Sequence, residues 1–214
     1  MKILCVSDQI DPLVYSNTIK QRYSDVDVIL SAGDLPADYL DFIVSSLNKP
    51  MFFVIGNHHT ENHHTGPFNE MAYETNSTGA VCIDKKVCYE EGLIIAGLGG
   101  TMRYNRGENQ FSDFQMYIRM IKLIPALIIN RLVRGRFIDI LLTHAAPRGI
   151  QDRKDKCHMG FKCFLWFMRA FKPKYLIHGH IHLYDLSELR TTRYHDTLVI
   201  NAYSQYIIDT GVNI

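Results

Sequence analysis

Six polar residues of this chain, each just after a short apolar run, could bind divalent metal ions. They are two carboxylates, one amide and three histidines: Asp8, Asp34, Asn57, His144, His180 and His182. Carboxylate and amide oxygens are hard ligands and imidazole is a borderline one, a mixture that suits Mn, Fe or Zn. Taken singly, an aspartate could cap a helix, the asparagine could make a turn and His144 could be a core histidine. Their joint pattern favours a metal site.

Neighbouring residues support this interpretation. Gly33, Gly56 and Gly179 each precede a candidate ligand, and a residue without Cβ lets the backbone turn sharply and approach a metal or phosphate closely. His180 and His182 are two residues apart, so on extended backbone both rings lie on the same face and can serve adjacent metals.

The apolar runs that precede these residues predict buried strands, because they are short, rich in β-branched residues and end abruptly in polar ones. They cover residues 3–6, 26–30, 52–55, 93–96, 137–142, 175–177 and 198–200. Helical patterns at 14–23 and 37–47 make the first third β-α-β-α-β with parallel strands. We therefore expect an α/β fold of two mixed sheets packed face to face with helices outside. Ligands in such folds collect at the carboxyl ends of strands, which places the candidates on one rim.

Length and composition indicate one folded domain over residues 1–214. The chain is 47% hydrophobic and 21% charged, and its net charge of +1 offers no global field to attract a polyanion, so nucleic acid is not indicated. The longest apolar run, 123–129, is far too short to cross a bilayer. The five cysteines are an odd number with no C-x-x-C pair, which favours reduced thiols in a cytoplasm, although Cys82 and Cys88 could bridge if their strands pair.

The motifs S-D-Q-I at 7–10, G-D at 33–34, G-N-H at 56–58, T-H-A-A-P at 143–147 and G-H-I-H at 179–182 resemble those of the calcineurin-like metallophosphoesterases in order and content. The resemblance spans nearly the whole chain. It implies a four-layered α/β/β/α sandwich and a two-metal hydrolytic centre, with Mn the expected metal and Fe, Zn, Ni or Mg as alternatives.

The resemblance also implies roles by position. It makes Asp34 the ligand that bridges both metals, with Asp8 and His182 on the first metal. Its ligands for the second metal are Asn57, His144 and His180. His58 becomes the catalytic histidine beside the scissile group, where it donates a proton to the leaving oxygen or stabilises its charge. Two cations suit phosphate esters because they activate water and stabilise both the attacking and the leaving oxygen.

One departure weakens the first site. The family pattern has a histidine two residues after the first aspartate, and this chain has Ile10 there. Isoleucine cannot coordinate a metal, so the first site is expected to be weaker than the second. Asp11 is the nearest substitute ligand, although an aspartate before proline is also an ordinary turn residue.

Two segments bear on substrate binding. The loop 99–107 follows a buried strand and offers Arg103 and Asn105 as a phosphate grip, or is simply an exposed loop. The H-x-G element that begins at His158 resembles that of the phosphodiesterase-like subgroup of metallophosphoesterases, although it could also be the start of a helix. The His-rich tract 58–64 is expected to form a solvated loop over the site, with His59, His63 and His64 outside the metal set, although such tracts bind metal readily and one of these residues could contact substrate or an adventitious ion.

The stretch 116–136 carries five basic residues and no acidic one, which predicts a basic amphipathic helix bent at Pro125. It could pack on its own domain, form a dimer surface or contact a membrane surface or lipid phosphate.

The sequence thus predicts a phosphoesterase that hydrolyses a small phosphate ester, with a diester slightly favoured. The alternatives are a nuclease or lipid-headgroup pyrophosphatase with the same centre, and a single-metal binding module without activity. Peripheral membrane contact is not favoured, and a homo-oligomer is compatible with the sequence.

Overall fold

The structure, a computed structural model, describes residues 1–58, 79–185 and 188–210. The helices within these residues are α1 (Ile19–Tyr23), α2 (Ala37–Leu47), α3 (Asp113–Ile121), α4 (Ile124–Arg134) and α5 (Lys162–Phe171). The strands of the first half are β1 (Lys2–Ser7), β2 (Val28–Ser31), β3 (Met51–Phe53), β4 (Val81–Cys82), β5 (Val87–Glu90), β6 (Leu93–Leu98), β7 (Thr101–Met102) and β8 (Gln110–Phe111). Those of the second half are β9 (Ile140–Thr143), β10 (Tyr175–His178), β11 (Thr191–Tyr194), β12 (Thr197–Asn201) and β13 (Ser204–Asp209).

The first sheet has five strands in the order β13-β1-β2-β3-β4. Strands β1 to β4 are parallel, with Cys5 opposite Leu30 and Leu30 opposite Phe52, while β13 pairs with β1 in the antiparallel sense. Helices α1 and α2 make the crossovers between the parallel strands, as the alternation of strand and helix patterns predicted. The carboxyl ends of β1, β2 and β3 therefore lie on the same edge.

The second sheet has six strands in the order β11-β12-β10-β9-β6-β5. Its four inner strands are parallel and its two edge strands, β5 and β11, are antiparallel to their neighbours. Strands β7 and β8 form a separate short pair. Because β9 and β10 are adjacent and parallel, the residues that follow them, including His144 and His180, leave this sheet side by side.

Three buried apolar clusters define the layers. One lies between the sheets and includes Cys5, Leu30 and Ile177. A second packs the first sheet against α1 and α2, and a third packs the other sheet against α3, α4 and α5. Each sheet thus buries both faces, which explains why its central strands are continuous apolar runs. The predicted four-layered α/β/β/α arrangement is confirmed.

The seven predicted strands are confirmed, with ends that differ by up to three residues. The first predicted helix, 14–23, is wrong over its first half: only Ile19–Tyr23 is helical, because residues 11–18 form turns around the Asp11 carboxylate. The prediction of one bent helix over 116–136 is also corrected. Two helices flank Lys122 and Leu123, and Pro125 lies in the first turn of α4, where its missing N–H removes no helical hydrogen bond.

The short and edge strands β4, β5, β7, β8, β11 and β13 were not predicted individually, since several are only two residues long or half-exposed. All five cysteines are free thiols. Among the described residues, no helix is long and apolar enough to cross a membrane.

Candidate metal centre

The candidate ligands leave their strands through a strained backbone. Asp8, Asp34 and His180 have φ values of 64°, 55° and 64°, in the left-handed region that costs a non-glycine residue roughly 1 kcal/mol or more. Asp8 N–H donates to Gly33 O at 3.1 Å, and the Asp8 carboxylate accepts the N–H of His180 at 2.8 Å. These turns aim the side chains of both sheets toward one another at the shared rim.

The three glycines of the motifs make room for these side chains. A Cβ at Gly56 would overlap Asp34 Oδ1, and one at Gly179 would overlap the Asp8 carboxylate and Ser7 Oγ. Gly33 has φ +102°, and a Cβ there would lie 2.8 Å from His144 Nδ1. A side chain at any of these positions would occupy the volume of the candidate ligands, so the absence of Cβ is a steric requirement of the site.

His144 is the centre of the buried part of the rim. Its side chain is fully buried, and its Nδ1 donates to Ala32 O at 2.7 Å. Its Nε2 lies 3.2 Å from Asp34 Oδ2 and 3.2 Å from Asn57 Oδ1. A histidine whose one nitrogen is held by a carbonyl and whose other nitrogen faces oxygen ligands has the orientation of a metal-binding imidazole.

Asp34 and His144 polarise each other. Burial opposes ionisation of Asp34, but the charge and hydrogen bond of His144, together with the backbone N–H of His58, lower the pKa of its carboxyl to about 2. Burial also opposes protonation of His144, but the charges of Asp34 and Asp8 outweigh it and raise the pKa of the imidazole to about 9. Two carboxylates thus create a negative potential that holds a proton on His144, and a metal ion can take the place of that proton.

His180 completes the buried group. Its ring centroid lies 5.0 Å from that of His144, and its Nε2 donates to Cys157 O at 2.8 Å. Burial, followed by the neighbouring charge of His144, holds the pKa of His180 well below its ordinary value, so the ring is neutral with Nδ1 free to bind a metal. Ligand atoms of Asp34, His144 and His180 lie within 4.8 Å of one another.

Asp8 and His182 form the other, more open part. The Asp8 side chain is 1% exposed, yet its Oδ1 has no hydrogen-bond donor among the described residues. His182 Nε2 lies 3.8 Å from that oxygen, and the His182 side chain is 40% exposed. Its Nδ1 lies 2.9 Å from Tyr184 Oη and its ring stacks on Tyr203 at 4.9 Å. A buried carboxylate oxygen without a donor is costly unless a cation satisfies it.

The side chains present therefore fit divalent metals. The donor set contains carboxylate, amide and imidazole groups in a space that glycines keep clear, and one buried carboxylate oxygen has no other partner among the residues described. The structure brings together all six residues proposed from the sequence as ligands.

Asp11, the proposed substitute ligand, has other partners. Its Oδ1 accepts the N–H groups of Leu13 and Val14 at 2.8 and 3.3 Å, and its Oδ2 accepts Ser204 Oγ at 2.6 Å. Such a pattern is that of an aspartate that holds a turn. Ile10, which stands at the position of the missing family ligand, is 42% exposed. Both carboxylate oxygens of Asp11 thus already have hydrogen-bond donors, whereas Asp8 Oδ1 has none among the described residues.

The proposed substrate-binding residues divide into two groups. The Arg103 guanidinium donates to Gln110 O and to Gln115 Oε1, and Asn105 Oδ1 accepts from Gly107 and Gln110 within its own loop. These side chains stabilise the loop. His158 instead lies at the rim: its ring is 5.1 Å from that of His180, and its Nδ1 lies 2.9 Å from Asp155 Oδ1.

Two residues that the sequence did not single out also contact the rim. Tyr104 Oη accepts from Asn57 Nδ2 at 3.1 Å, and Cys157 supplies the carbonyl that orients His180. Cys157, His158 and His180 form a second group whose ligand atoms lie within 4.8 Å of one another. Tyr104 belongs to the loop 99–107, which the sequence indicated because of its arginines. The sequence pointed to this loop but not to Tyr104 itself.

His58 is the last described residue before a gap, and its backbone N–H donates to Asp34 Oδ1 at 3.0 Å. This bond places the residue directly beside the proposed bridging carboxylate. The prediction for His59, His63 and His64 falls on residues 59–78, outside the described residues.

Solved structures share the fold at low sequence identity. One aligns with a TM-score of 0.65 at 14% identity, covering 98% of this chain and 95% of that chain. The protein TT1561 of Thermus thermophilus aligns with a TM-score of 0.62 at 13% identity, over 95% of this chain and 89% of its own. A hypothetical protein from the same organism aligns with a TM-score of 0.51 at 13% identity, over 94% of this chain and 75% of its own.

Sequence comparison identifies the family directly. No curated protein matches the chain significantly, but the model of the calcineurin-like phosphoesterase family matches residues 1–184. That range includes every candidate ligand on the rim. The chain therefore belongs to the calcineurin-like phosphoesterase family.

Proposed function

We propose that this protein hydrolyses a small phosphate ester, a diester in preference to a monoester, with two divalent metal ions held in unequal halves of the rim. The observation that carries the proposal is the environment of His144. A fully buried imidazole is held by Ala32 O on one side and faces the oxygens of Asp34 and Asn57 on the other. A proton on His144 Nε2 can satisfy these oxygens in the metal-free protein, and a metal ion would take its place with Asp34 and Asn57 as further ligands.

The buried half of the rim would hold the stronger metal. Asn57 Oδ1, His144 Nε2 and His180 Nδ1 are its proposed ligands, since the other nitrogen of each imidazole donates to a carbonyl. Asp34 is the proposed bridging ligand, because its carboxylate faces His144 while the carbonyl of its neighbour Gly33 accepts the N–H of Asp8. Mn is the proposed metal, with Fe, Zn, Ni or Mg as alternatives, because the site mixes oxygen and imidazole ligands.

The open half would hold the weaker metal through Asp8 and His182. The unsatisfied Oδ1 of Asp8 supports this assignment. Ile10 contributes no ligand, and Asp11 is hydrogen-bonded elsewhere, so this half has fewer protein donors. When bound, the two ions supply Lewis-acid activation of water and stabilise charge on the phosphate group.

The protein's own residues bind and orient the ester and move one proton. His58, fixed beside Asp34 through its backbone N–H, is the proposed general acid, whose imidazole donates a proton to the leaving oxygen. His158 is the proposed contact for the non-reacting part of the ester, because its ring borders that of His180 and its Nδ1 is fixed by Asp155.

A cavity of about 450 Å³ beside the rim favours a small anionic substrate. Its lining includes Arg148, Arg153, Lys154 and Asp152. Arg148 lies 3.8 Å from Asp152 and Arg153 lies 3.6 Å from Glu188, which leaves a net positive charge. Arg153 donates to His182 O at 2.7 Å, which joins the cavity to the open half of the rim. Its volume lies within the range of about 300–1,000 Å³ found for small-molecule sites. A compact basic cavity fits a phosphate ester better than a long nucleic-acid strand.

The test uses purified protein with added MnCl2 and two chromogenic substrates, nitrophenyl phosphate and bis-nitrophenyl phosphate. We expect hydrolysis that chelation abolishes and manganese restores, with the diester cleaved faster. Asn57→Ala is expected to lower kcat/KM by about a hundredfold or more, because it removes a proposed metal ligand. Loss of a group that only orients a ligand typically costs roughly 10–100-fold. Asn130→Ala, on α4 far from the rim, is the matched control.

Activity no higher than that of Asn57→Ala on both substrates would contradict the enzymatic proposal. Metal analysis of the same samples then distinguishes the alternatives. One bound ion without hydrolysis would support a single-metal binding module.

A further inference from the structure

Helix α4 presents an apolar surface to solvent. Its exposed side chains Ile128, Ile129, Leu132 and Val133 are here called the apolar helix face. They are 47%, 58%, 81% and 70% exposed, respectively. Their i, i+1, i+4, i+5 spacing places them on one side of the helix, while Leu127, fully buried, packs into the core on the other side. A helix that is apolar on both sides is normally buried on both sides.

Helix α2, on the opposite side of the sandwich, shows the usual pattern. It buries Leu40 and Ile43 and exposes Asp38 and Ser45. Scattered exposed apolar residues need no explanation, but four large ones in adjacent positions mark an interaction surface. The apolar helix face is therefore a property of α4 and not of the outer helices in general.

Basic side chains are concentrated in the segment of chain that carries the apolar helix face. They are Lys122, Arg131, Arg134 and Arg136, the last of which pairs with Asp139. Residues 114–138 include no acidic residue. The guanidinium of Arg131 lies 5.7 Å from the ring centroid of Phe137, and that of Arg134 lies 4.0 Å from Tyr89. Both guanidinium groups remain charged in these contacts, so they contribute to the positive potential of the segment.

Aromatic contacts connect the end of α4 to the neighbouring helix α5. Phe137 contacts Phe171 at 5.4 Å, and Phe171 contacts Trp166 at 5.8 Å. Trp166 is 39% exposed and packs edge-on against Tyr117 of α3. Tryptophan and tyrosine are the side chains that favour the boundary between lipid and water, because one part is apolar and another is polar.

We infer that the apolar helix face docks on a membrane surface rich in anionic lipid. At 11 residues α4 is about 16 Å long, too short to span a bilayer but sufficient to lie on its surface. Apolar side chains flanked by arginine, lysine and a half-exposed tryptophan have the composition of helices that bind there. A second copy of this chain fits less well, since it would bring its own basic residues against these.

Vesicle co-sedimentation of the full chain tests this inference without reference to hydrolysis. Vesicles of phosphatidylcholine with 30% phosphatidylglycerol, a proportion of roughly one anionic lipid in three, are compared with phosphatidylcholine alone. We expect binding to the anionic vesicles, weakened by raising NaCl toward about 0.5 M as charge is screened. Leu132→Glu should lower the partition coefficient by about tenfold or more, the effect of losing one buried leucine.

Ser45→Glu, which adds the same charge to the exposed side of α2, is the matched control and should bind like the parent. Leu132 is highly exposed, so the fold and the hydrolysis of a soluble substrate should be unchanged in Leu132→Glu. Three results would overturn the inference: no binding to anionic vesicles, equal binding of Leu132→Glu, or a dimer in vesicle-free buffer that Leu132→Glu dissociates.

Discussion

The two halves of the rim differ in burial and in how their polar atoms are satisfied. In the buried half, His144 and His180 are nearly inaccessible and each donates one imidazole N–H to a backbone carbonyl. In the open half, the His182 side chain is 40% exposed and contacts tyrosines, while the facing oxygen of Asp8 has no donor among the described residues. The imidazoles of the buried half are therefore already oriented by the protein. In the open half, the arrangement of the side chains depends on the cation that binds.

This difference has a local cause in each half. The buried half lies where the ends of β2 and β9 meet, so the backbone of one sheet orients side chains of the other. The open half lies beside β1, where Ile10 stands at the position of a family ligand and residues 11–14 turn away around Asp11. If two metals bind as proposed, we expect the buried half to hold one tightly and the open half to hold the other weakly.

The largest expected effect comes from the residue proposed to link the halves. Asp34→Asn should lower kcat/KM by about a thousandfold or more, because it removes a charge from both metals. His182→Gln should cost less, about 10–100-fold, since it affects only the weaker half. Steady-state kinetics with bis-nitrophenyl phosphate measure kcat/KM of both variants, and metal analysis measures how many ions each variant binds. A greater loss for His182→Gln would reverse the ranking of the two halves.

Ile10→His should strengthen the open half. A histidine at this position restores a ligand type that the family pattern contains, so we expect about tenfold tighter binding of the second manganese equivalent and higher activity when manganese is limiting. Titration with manganese followed by activity and by calorimetry measures both quantities. Leu13→His, at a similarly exposed position of the same loop, is the control, and equal effects of the two would contradict the comparison.

The buried half should determine how the metal-free protein responds to pH. The pKa of His144 is raised from 6.5 to about 9, so its stabilising contribution is complete below pH 6.5 and is lost as the pH rises through 9. The pKa of His180 is lowered by burial, so stability also falls as the pH drops below 6.5, where only the unfolded chain gains that proton. The urea midpoint of chelated protein should be highest near pH 6.5.

His144→Gln isolates the alkaline part of this profile. The variant should lose the decrease in the urea midpoint between pH 6.5 and 9 and keep the acidic one. An unchanged alkaline decrease would show that another group causes it.

The smallest effect concerns Asp11. Asp11→Ala should lower the free energy of unfolding by about 1–3 kcal/mol, because two backbone N–H groups and the Ser204 hydroxyl lose their acceptor. The number of bound metals should be unchanged, as measured by metal analysis. Asp196→Ala, which removes only an exposed ion pair with Lys172, is the control and should change neither the free energy of unfolding nor the number of bound metals appreciably. Loss of one metal in Asp11→Ala would make Asp11 a ligand.

The strands could be predicted well because both sheets are buried on both faces, which makes the central strands plain apolar runs. The edges could not, since β11 and β13 are half-exposed and β4 and β7 are two residues long. One helix bent at Pro125 was expected, but two helices form, because a proline in the first helical turn begins a helix instead of bending one. Local pattern therefore locates elements reliably and their ends less so.

The sequence by itself determined the family, the parallel core and the six residues on the rim, because strand patterns and the motifs at strand ends consist of residues that are adjacent in the chain. Only the tertiary structure decided how those residues differ. It joined His144 to Ala32 and Asn57 across two sheets, paired Arg103 with Gln115, and brought Tyr104 and Cys157 to the rim. Contacts between residues far apart in the chain depend on how the sheets pack, and no local spacing contains that information.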